Sequence, residues 1–407
     1  MNKDCMRLLL AISLVTYNGA KWLEQCLGAI KNQSYKNWQV FVVDNNSQDG
    51  SVSLIERIMP SANLIVNQVN LGFSKGHNQN IRRLPKETKY VLCLNQDAIL
   101  DVTFLASAIG ALEKNPQAGA LQGKILKIVK SMPVIPAEAG IYAMPYCMDS
   151  RLRGNDKEVS GNDNTSCVGN GLNEFKNSNI IDTTGLVIFK NRQVINRGQG
   201  EVDRGQYDQP GQVFGADGAA SVYRVAALDN IAIPPPSLPT SVAPERHRSI
   251  GRPLSTKRGG SHEYFDEVFF AYKEDIDLSW RLRLAGWQII YEPKAISWHG
   301  RSATGTATSL GAMLKQRQQI PRFCRLHSWQ NHHFMLLKNE VPVLFWQHFS
   351  YIFWRELRTF FYVLLFEPWM LKSVYRFLKL APRMWRKRRQ IMAKKIIQAS
   401  DLKKWFR

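Results

Sequence analysis

The chain has 407 residues, 44% of them hydrophobic, and 54 Lys and Arg against 33 Asp and Glu give a formal net charge of +21. That apolar content supports a sizeable core, and the length suits one large domain with an appendage. No apolar run reaches the roughly 18 residues that span a bilayer, which argues against a membrane-crossing helix. The excess positive charge calls for an anionic partner or surface. The six cysteines have no CxxC spacing and read as reduced, cytoplasmic thiols, with Cys26 and Cys93 on buried faces.

The first predicted element is a strand, Leu8 to Thr16, ending at Tyr17-Asn18-Gly19. Met6 to Val15 has the look of a signal h-region, but it lacks a small-residue cleavage site and is needed as core. Leu23, Leu27 and Ile30 then recur at helical spacing, and Val40 to Val43 forms a second strand ending in Asp44-Asn45-Asn46. A helix to Met59, a strand from Asn63 to Asn67, a helix after Asn70 and a strand from Tyr90 to Leu94 follow. This alternation predicts a parallel, doubly wound α/β sheet. Such sheets bind ligands at the carboxyl ends of their strands, where Asp44, Asp49, Asn95 and Asp97 fall. Further on, Glu274-Asp275 precedes an expected amphipathic helix opened by Asp277 and ended by Gly286. A carboxylate beside a helix N-terminus stays ionised and is able to take a proton from a hydroxyl.

Five segments in this order resemble the family 2 inverting glycosyltransferases of GT-A fold, especially the branch with bacterial rhamnosyltransferases. Val42–Ser51 (VVDNNSQDGS) is similar to the element whose first aspartate, here Asp44, binds the nucleotide base. Asn70–Ile81 is similar to the element beside the nucleotide. Leu94–Leu100 (LNQDAIL) resembles a variant DxD motif in which Asp97 is the retained metal-binding acid. Phe214–Arg224 resembles the segment near donor sugar and acceptor, with Gly215, Ala216, Asp217 and Gly218. In Phe265–Trp287, Asp275 matches the catalytic base and Glu274 its neighbour. The resemblance further implies nucleotide contacts from Thr16, Tyr17, Asn18, Asn46, Asn70, Gly72, Lys75, Asn78 and Asn95. It places His299 near the metal and Arg301 near phosphate, with Mg²⁺ or Mn²⁺ as cofactor. The implied reaction is inverting transfer from a nucleotide-diphosphate sugar, dTDP-rhamnose or similar, to a saccharide or lipid-linked saccharide in bacterial surface polysaccharide synthesis. Asn95 replaces the first acid of DxD, so the alternative reading is an inactive relative that binds membrane or nucleic acid.

Residues 131–164 and 234–262 interrupt the pattern and read as insertions within a glycosyltransferase domain of residues 1–330. Residues 331–407 read as an aromatic and basic helical tail. From Leu371 on, thirteen Lys and Arg against one acid contribute +12 of the net charge. Bulky apolar faces flanked by basic residues suit an anionic membrane surface. The expected location is therefore cytoplasmic, on the inner face of the cytoplasmic membrane, with no nucleic acid partner. Oligomeric state has no signal in the sequence.

Overall fold

The computed structural model describes residues 9–130, 175–234, 249–250, 260–300 and 317–407. The insertion expected at 131–164 lies outside these residues, as do Arg301 and most of 234–262.

The alternation read from the sequence is present. β1 (Leu10–Thr16), α1 (Ala20–Lys31), β2 (Trp38–Asp44), α2 (Ser51–Ile58), β3 (Asn63–Val66), α3 (Gly72–Arg82) and β4 (Tyr90–Asn95) form a doubly wound unit. β1 pairs in parallel with β2 on one side and β4 on the other. Side-chain alternation between two covered faces explains why β1 is largely apolar. Leu10, Ile12 and Leu14 join the core under α1, α2 and β2, while Ala11 joins the core on the opposite face with Ile81 of α3.

The chain continues through β5 (Ala98–Leu100), α4 (Phe104–Lys114), β6 (Ala118–Lys130) and β7 (Phe175–Thr183). β8 (Leu186–Ile188) and β9 (Val194–Asn196) pair in a separate hairpin. β10 (Gly211–Gln212), β11 (Ala220–Arg224), α5 (Val225–Ile231), β12 (Ser249–Ile250), α6 (Glu274–Leu284) and β13 (Gln288–His299) complete the sheet domain. The sheet is mixed rather than purely parallel, because β11 runs antiparallel between β4 and β6. That reversal has a functional consequence. The start of β11 meets the end of β4, Ala220 opposite Leu94, so the preceding loop 214–219 sits at the same sheet edge as Asn95. β13 likewise pairs with β5, His299 opposite Ala98, one residue from Asp97.

Two expectations about α6 are corrected. The helix begins at Glu274, with Lys273 in a left-handed conformation at its cap, so Asp277 lies inside it. Nor is it amphipathic: ten of its eleven residues are buried. Its charges are neutralised internally. Arg281 Nε bonds Asp277 at 3.1 Å, and Arg283 donates to the carbonyls of Phe214, Val213 and Ile289.

The second face of α6 is covered by the C-terminal helices α7 (Arg322–Asn339), α8 (Pro342–Gln347), α9 (Phe349–Phe366), α10 (Leu371–Ala393) and α11 (Ala399–Lys403). The boundary expected at 330/331 falls inside α7. Phe334, Met335, Met384, Ile391, Leu402 and Phe406 share a core with Trp280 of α6, and Arg407 N bonds the Ile188 carbonyl. Lys338, fully buried, is paired with Asp266 and with Asp277 at 2.8 Å. Lys387 meets Glu263 and Asp266 at 2.5 and 2.6 Å. Burial opposes ionisation of Asp266, yet these two ammonium groups hold its carboxyl far below the usual range. Part of the tail's basic charge is therefore structural.

Candidate active site

The strand ends build a polar cleft of about 270 Å³ lined by Thr16, Tyr17, Asn45, Asn70, Gly72, Asn95, Gln96 and Asp97, with Trp22, Phe73 and Phe270 as apolar walls. Gly72 has φ +82°, and a Cβ there would lie 2.4 Å from the Phe270 carbonyl, so only glycine lets the 270 loop close on α3. Phe73 N then donates to that carbonyl at 2.8 Å. Gln96, which the sequence reading did not single out, organises the floor. Its Oε1 accepts from the Thr16 hydroxyl at 2.6 Å and the Tyr17 amide at 2.9 Å.

Other expected nucleotide residues stand behind this surface. Asp44 is fully buried, and both its oxygens accept from Ser47, at 2.9 Å from the amide and 2.5 Å from the hydroxyl. Asn18 Oδ1 accepts from Gln48 N, and Asn46, at φ 68°, accepts from the Gln48 amide through its carbonyl and side chain. These contacts form the turn after β2. Asn78 is fully buried and uses both ends of its amide on the 264–267 loop, binding Tyr264 N, Phe265 N, Phe265 O and Glu267. It pins that loop to α3. Lys75 is half-buried on α3 and is not among the residues that line the cleft.

Asp97 and His299 meet as the resemblance implies. Asp97 Oδ1 is 3.2 Å from His299 Nε2, and Gly300 N donates to the Asp97 carbonyl at 2.9 Å. Asn95 Nδ2 is 3.3 Å from the same ring nitrogen. The other ring nitrogen, Nδ1, is 3.0 Å from Asp182 Oδ2 on β7. A neutral imidazole that gives its Nδ1 proton to Asp182 turns a lone pair toward the Asp97 carboxylate. In that tautomer Nε2 and the Asp97 carboxylate offer lone pairs of the kind that ligate a divalent ion, so these residues fit one. Among the described residues no group of three or more His, Cys, Asp or Glu forms a metal cage. Further ligands would have to come from phosphate oxygens and water, as suits Mg²⁺ or Mn²⁺. Asp182 is the member of this cluster that sequence reading missed; its sole signal was an acid closing the apolar pair Ile180-Ile181.

Asp275 lies across the cleft wall. Its Oδ2 accepts from Gly218 N at 3.2 Å and its Oδ1 from Ile276 N at 2.8 Å, so two backbone amides hold the carboxylate. Gly218 is within van der Waals reach of both Asp275 and Phe73. Gly215 leaves room for Ser279, whose hydroxyl accepts from Ala216 N at 3.1 Å. Asp217, also buried, accepts from Ala219 N at 2.9 Å. The 215–218 loop is thus locked onto α6. Glu274 is buried, its Oε2 has no hydrogen-bond partner, and burial together with the neighbouring Asp275 pushes its carboxyl well above the ordinary range. The two acids thus differ in setting: burial disfavours the charged form of Glu274, while two backbone amides point at the Asp275 carboxyl oxygens.

Acids, amides and glycines gathered over the ends of parallel strands, beside an Asp–His pair, define a nucleotide-binding α/β enzyme site. Residues 12–158 match the model of the glycosyl transferase family 2. It is similar to an uncharacterized glycosyltransferase of Haemophilus influenzae, 26% identical over 141 residues, which are 34% of this chain and 41% of that protein. It is also similar to the N-acetylglucosaminyl-diphospho-decaprenol L-rhamnosyltransferase of Mycobacterium tuberculosis, 22% identical over 307 residues, covering 73% of this chain and 78% of the relative. Among solved structures, the mannosyltransferase PcManGT of Pyrobaculum calidifontis, in complex with GDP-Man and Mn²⁺, aligns with TM-score 0.44 at 14% identity. That alignment covers 95% of this chain and 85% of the other.

Proposed function

We propose that the protein transfers a sugar, with inversion, from a nucleotide-diphosphate donor to a saccharide or lipid-linked saccharide in bacterial surface polysaccharide synthesis. The observation that carries this reading is the pairing of two stations on one sheet edge: Asp97 with His299 on the donor side, and Asp275 held by the Gly218 amide on the other. A divalent ion held by Asp97 and His299 would neutralise charge developing on the leaving diphosphate. Asp182 fixes the His299 ring so that Nε2 faces the ion. Asp275 takes the proton of the acceptor hydroxyl, and its two amide contacts keep it ionised and aimed. Burial and Asp275 disfavour the charged form of Glu274, which limits a second negative charge in the acceptor pocket.

The donor proposed is dTDP-rhamnose or a similar activated hexose or deoxyhexose, in keeping with the mycobacterial relative's rhamnosyl transfer. No helix among the described residues is long and apolar enough to cross a membrane. The helical layer nevertheless exposes Trp346, Tyr351, Trp354, Phe360, Phe361, Leu365 and Phe366, which supports docking on an anionic membrane surface at the cytoplasmic side. Incubation of the full chain with dTDP-rhamnose, UDP-GlcNAc and GDP-mannose, with Mn²⁺ or Mg²⁺ and a prenyl-diphosphate saccharide, tests the activity. Release of nucleotide and a glycosylated lipid is expected. No turnover of any donor would overturn the reading.

A further inference from the structure

A second cavity, about 340 Å³, opens between the Tyr272-Lys273 corner, α7 and α9. It adjoins the catalytic station, because Lys273 is the cap residue from which Glu274 and Asp275 start α6. Four cations line it: Lys273, Arg317, Arg325 and Arg355. Two carboxylates pair with the arginines. Glu356 bonds Arg355 at 2.6 Å, and Glu367 is shared by Arg317, at 2.8 Å, and Arg325. The Lys273 ammonium has no hydrogen bond or ion pair with another described residue. Burial lowers its pKa, and Arg355 adds to this, while the nearby Asp275 and Glu274 act in the opposite direction.

The cavity also has an apolar outlet. α9 turns Arg355, Glu356 and Thr359 toward it, while Trp354, Phe360, Phe361, Leu364 and Leu365 of the same helix are exposed. One helix therefore carries a polar, cationic face and an apolar outer face along about three turns.

Resting on the glycosyl-transfer reading, we propose that this cavity binds the diphosphate ester of a lipid-linked acceptor. Lys273 and Arg317 would contact the phosphates, and the hydrocarbon chain would follow the exposed face of α9. The saccharide end is thereby directed past Lys273 toward Asp275. Arg guanidinium groups suit phosphate oxygens through paired N–H donors, and Lys273, with no direct hydrogen bond or ion pair among the described residues, adds a cation at the cavity wall.

Calorimetry on the full chain tests this with farnesyl diphosphate, inorganic pyrophosphate and UDP, the last in the presence of Mn²⁺. Lys273→Asn keeps a residue tolerant of the left-handed conformation but removes the charge. It should weaken farnesyl diphosphate about tenfold or more, the weight of one lost charged contact, and Arg317→Gln should weaken it severalfold. UDP affinity should be the same in both variants, since its cleft is separate. Farnesyl diphosphate binding tighter than pyrophosphate supports the lipid source; equal affinity overturns the lipid part. Competition between farnesyl diphosphate and UDP, or unchanged affinity in both variants, overturns the cavity assignment. If Lys273→Asn does not fold by circular dichroism, the more exposed Arg317→Gln decides. Absence of UDP binding to the parent chain instead strikes the glycosyl-transfer reading, which separates the two failures.

Discussion

The sheet-edge cleft and the C-terminal helical layer handle charge in opposite ways. At the cleft, Asp97, His299 and Asp275 sit at strand and helix ends, held largely by backbone amides and by one another. In the helical layer, Lys338 and Lys387 are buried against carboxylates contributed by the sheet domain, while aromatic side chains face outward. Charge at the cleft remains available for chemistry; much of the charge in the layer is consumed in holding the two parts together. A basic tail is thus not, by composition alone, a free electrostatic anchor.

The largest effect is expected at the cleft. Asp275→Asn keeps the volume and a polar group on the Gly218 amide, so the fold should persist. The amide cannot accept a proton, and turnover should fall roughly 10²- to 10⁴-fold with UDP or dTDP binding unchanged. Near-parental turnover in a steady-state assay would remove Asp275 from the role of base.

The matching disruption in the helical layer is Lys338→Met. It leaves Asp266 and Asp277 buried with one cation fewer, at a cost of about 3–5 kcal/mol. Urea denaturation measures it, and a loss under about 1 kcal/mol would show that the layer is only loosely docked. The same packing implies that truncation after Pro342 destabilises the sheet domain. The core of α6 would lose Met384, Ile391, Leu402 and Phe406, so such a truncation does not isolate membrane binding.

Between the two regions stands Asp182. Asp182→Asn should leave Asp97 and His299 in place but weaken Mn²⁺ affinity about 10- to 100-fold, because the ring loses the partner that fixes its tautomer. Mn²⁺ binding followed by electron paramagnetic resonance reads this without turnover. Unchanged affinity would confine Asp182 to a packing role.

These contrasts also mark what was legible in the sequence. The strand-helix alternation of the first hundred residues and the acids at strand ends were visible because period and position are local properties. Asp97 and His299 were recognisable by motif. Asp182 was not, since it reaches His299 from 117 residues away, on a strand that follows an expected insertion. The burial of Lys338 and Lys387 was also hidden: in sequence, a basic run reads as solvated, and its carboxylate partners lie more than sixty residues upstream. The same blindness made α6 look amphipathic, because its buried arginines are neutralised by Asp277 and by carbonyls of other segments.

The smallest effect is expected from Glu274→Gln, and its smallness is informative. Burial and the neighbouring Asp275 push the Glu274 pKa up, which favours the neutral carboxyl that Gln copies. Turnover should therefore stay within about threefold, far from the loss expected of a base. The stability sign follows from linkage. Because the folded state raises the Glu274 pKa, the parent is favoured below the ordinary carboxylate value, and that advantage is lost as pH rises toward the folded value. Gln does not titrate, so the variant should melt at the same temperature as the parent, or higher, with its advantage growing on the alkaline side. A turnover loss comparable with that of Asp275→Asn would exchange the roles of the two acids.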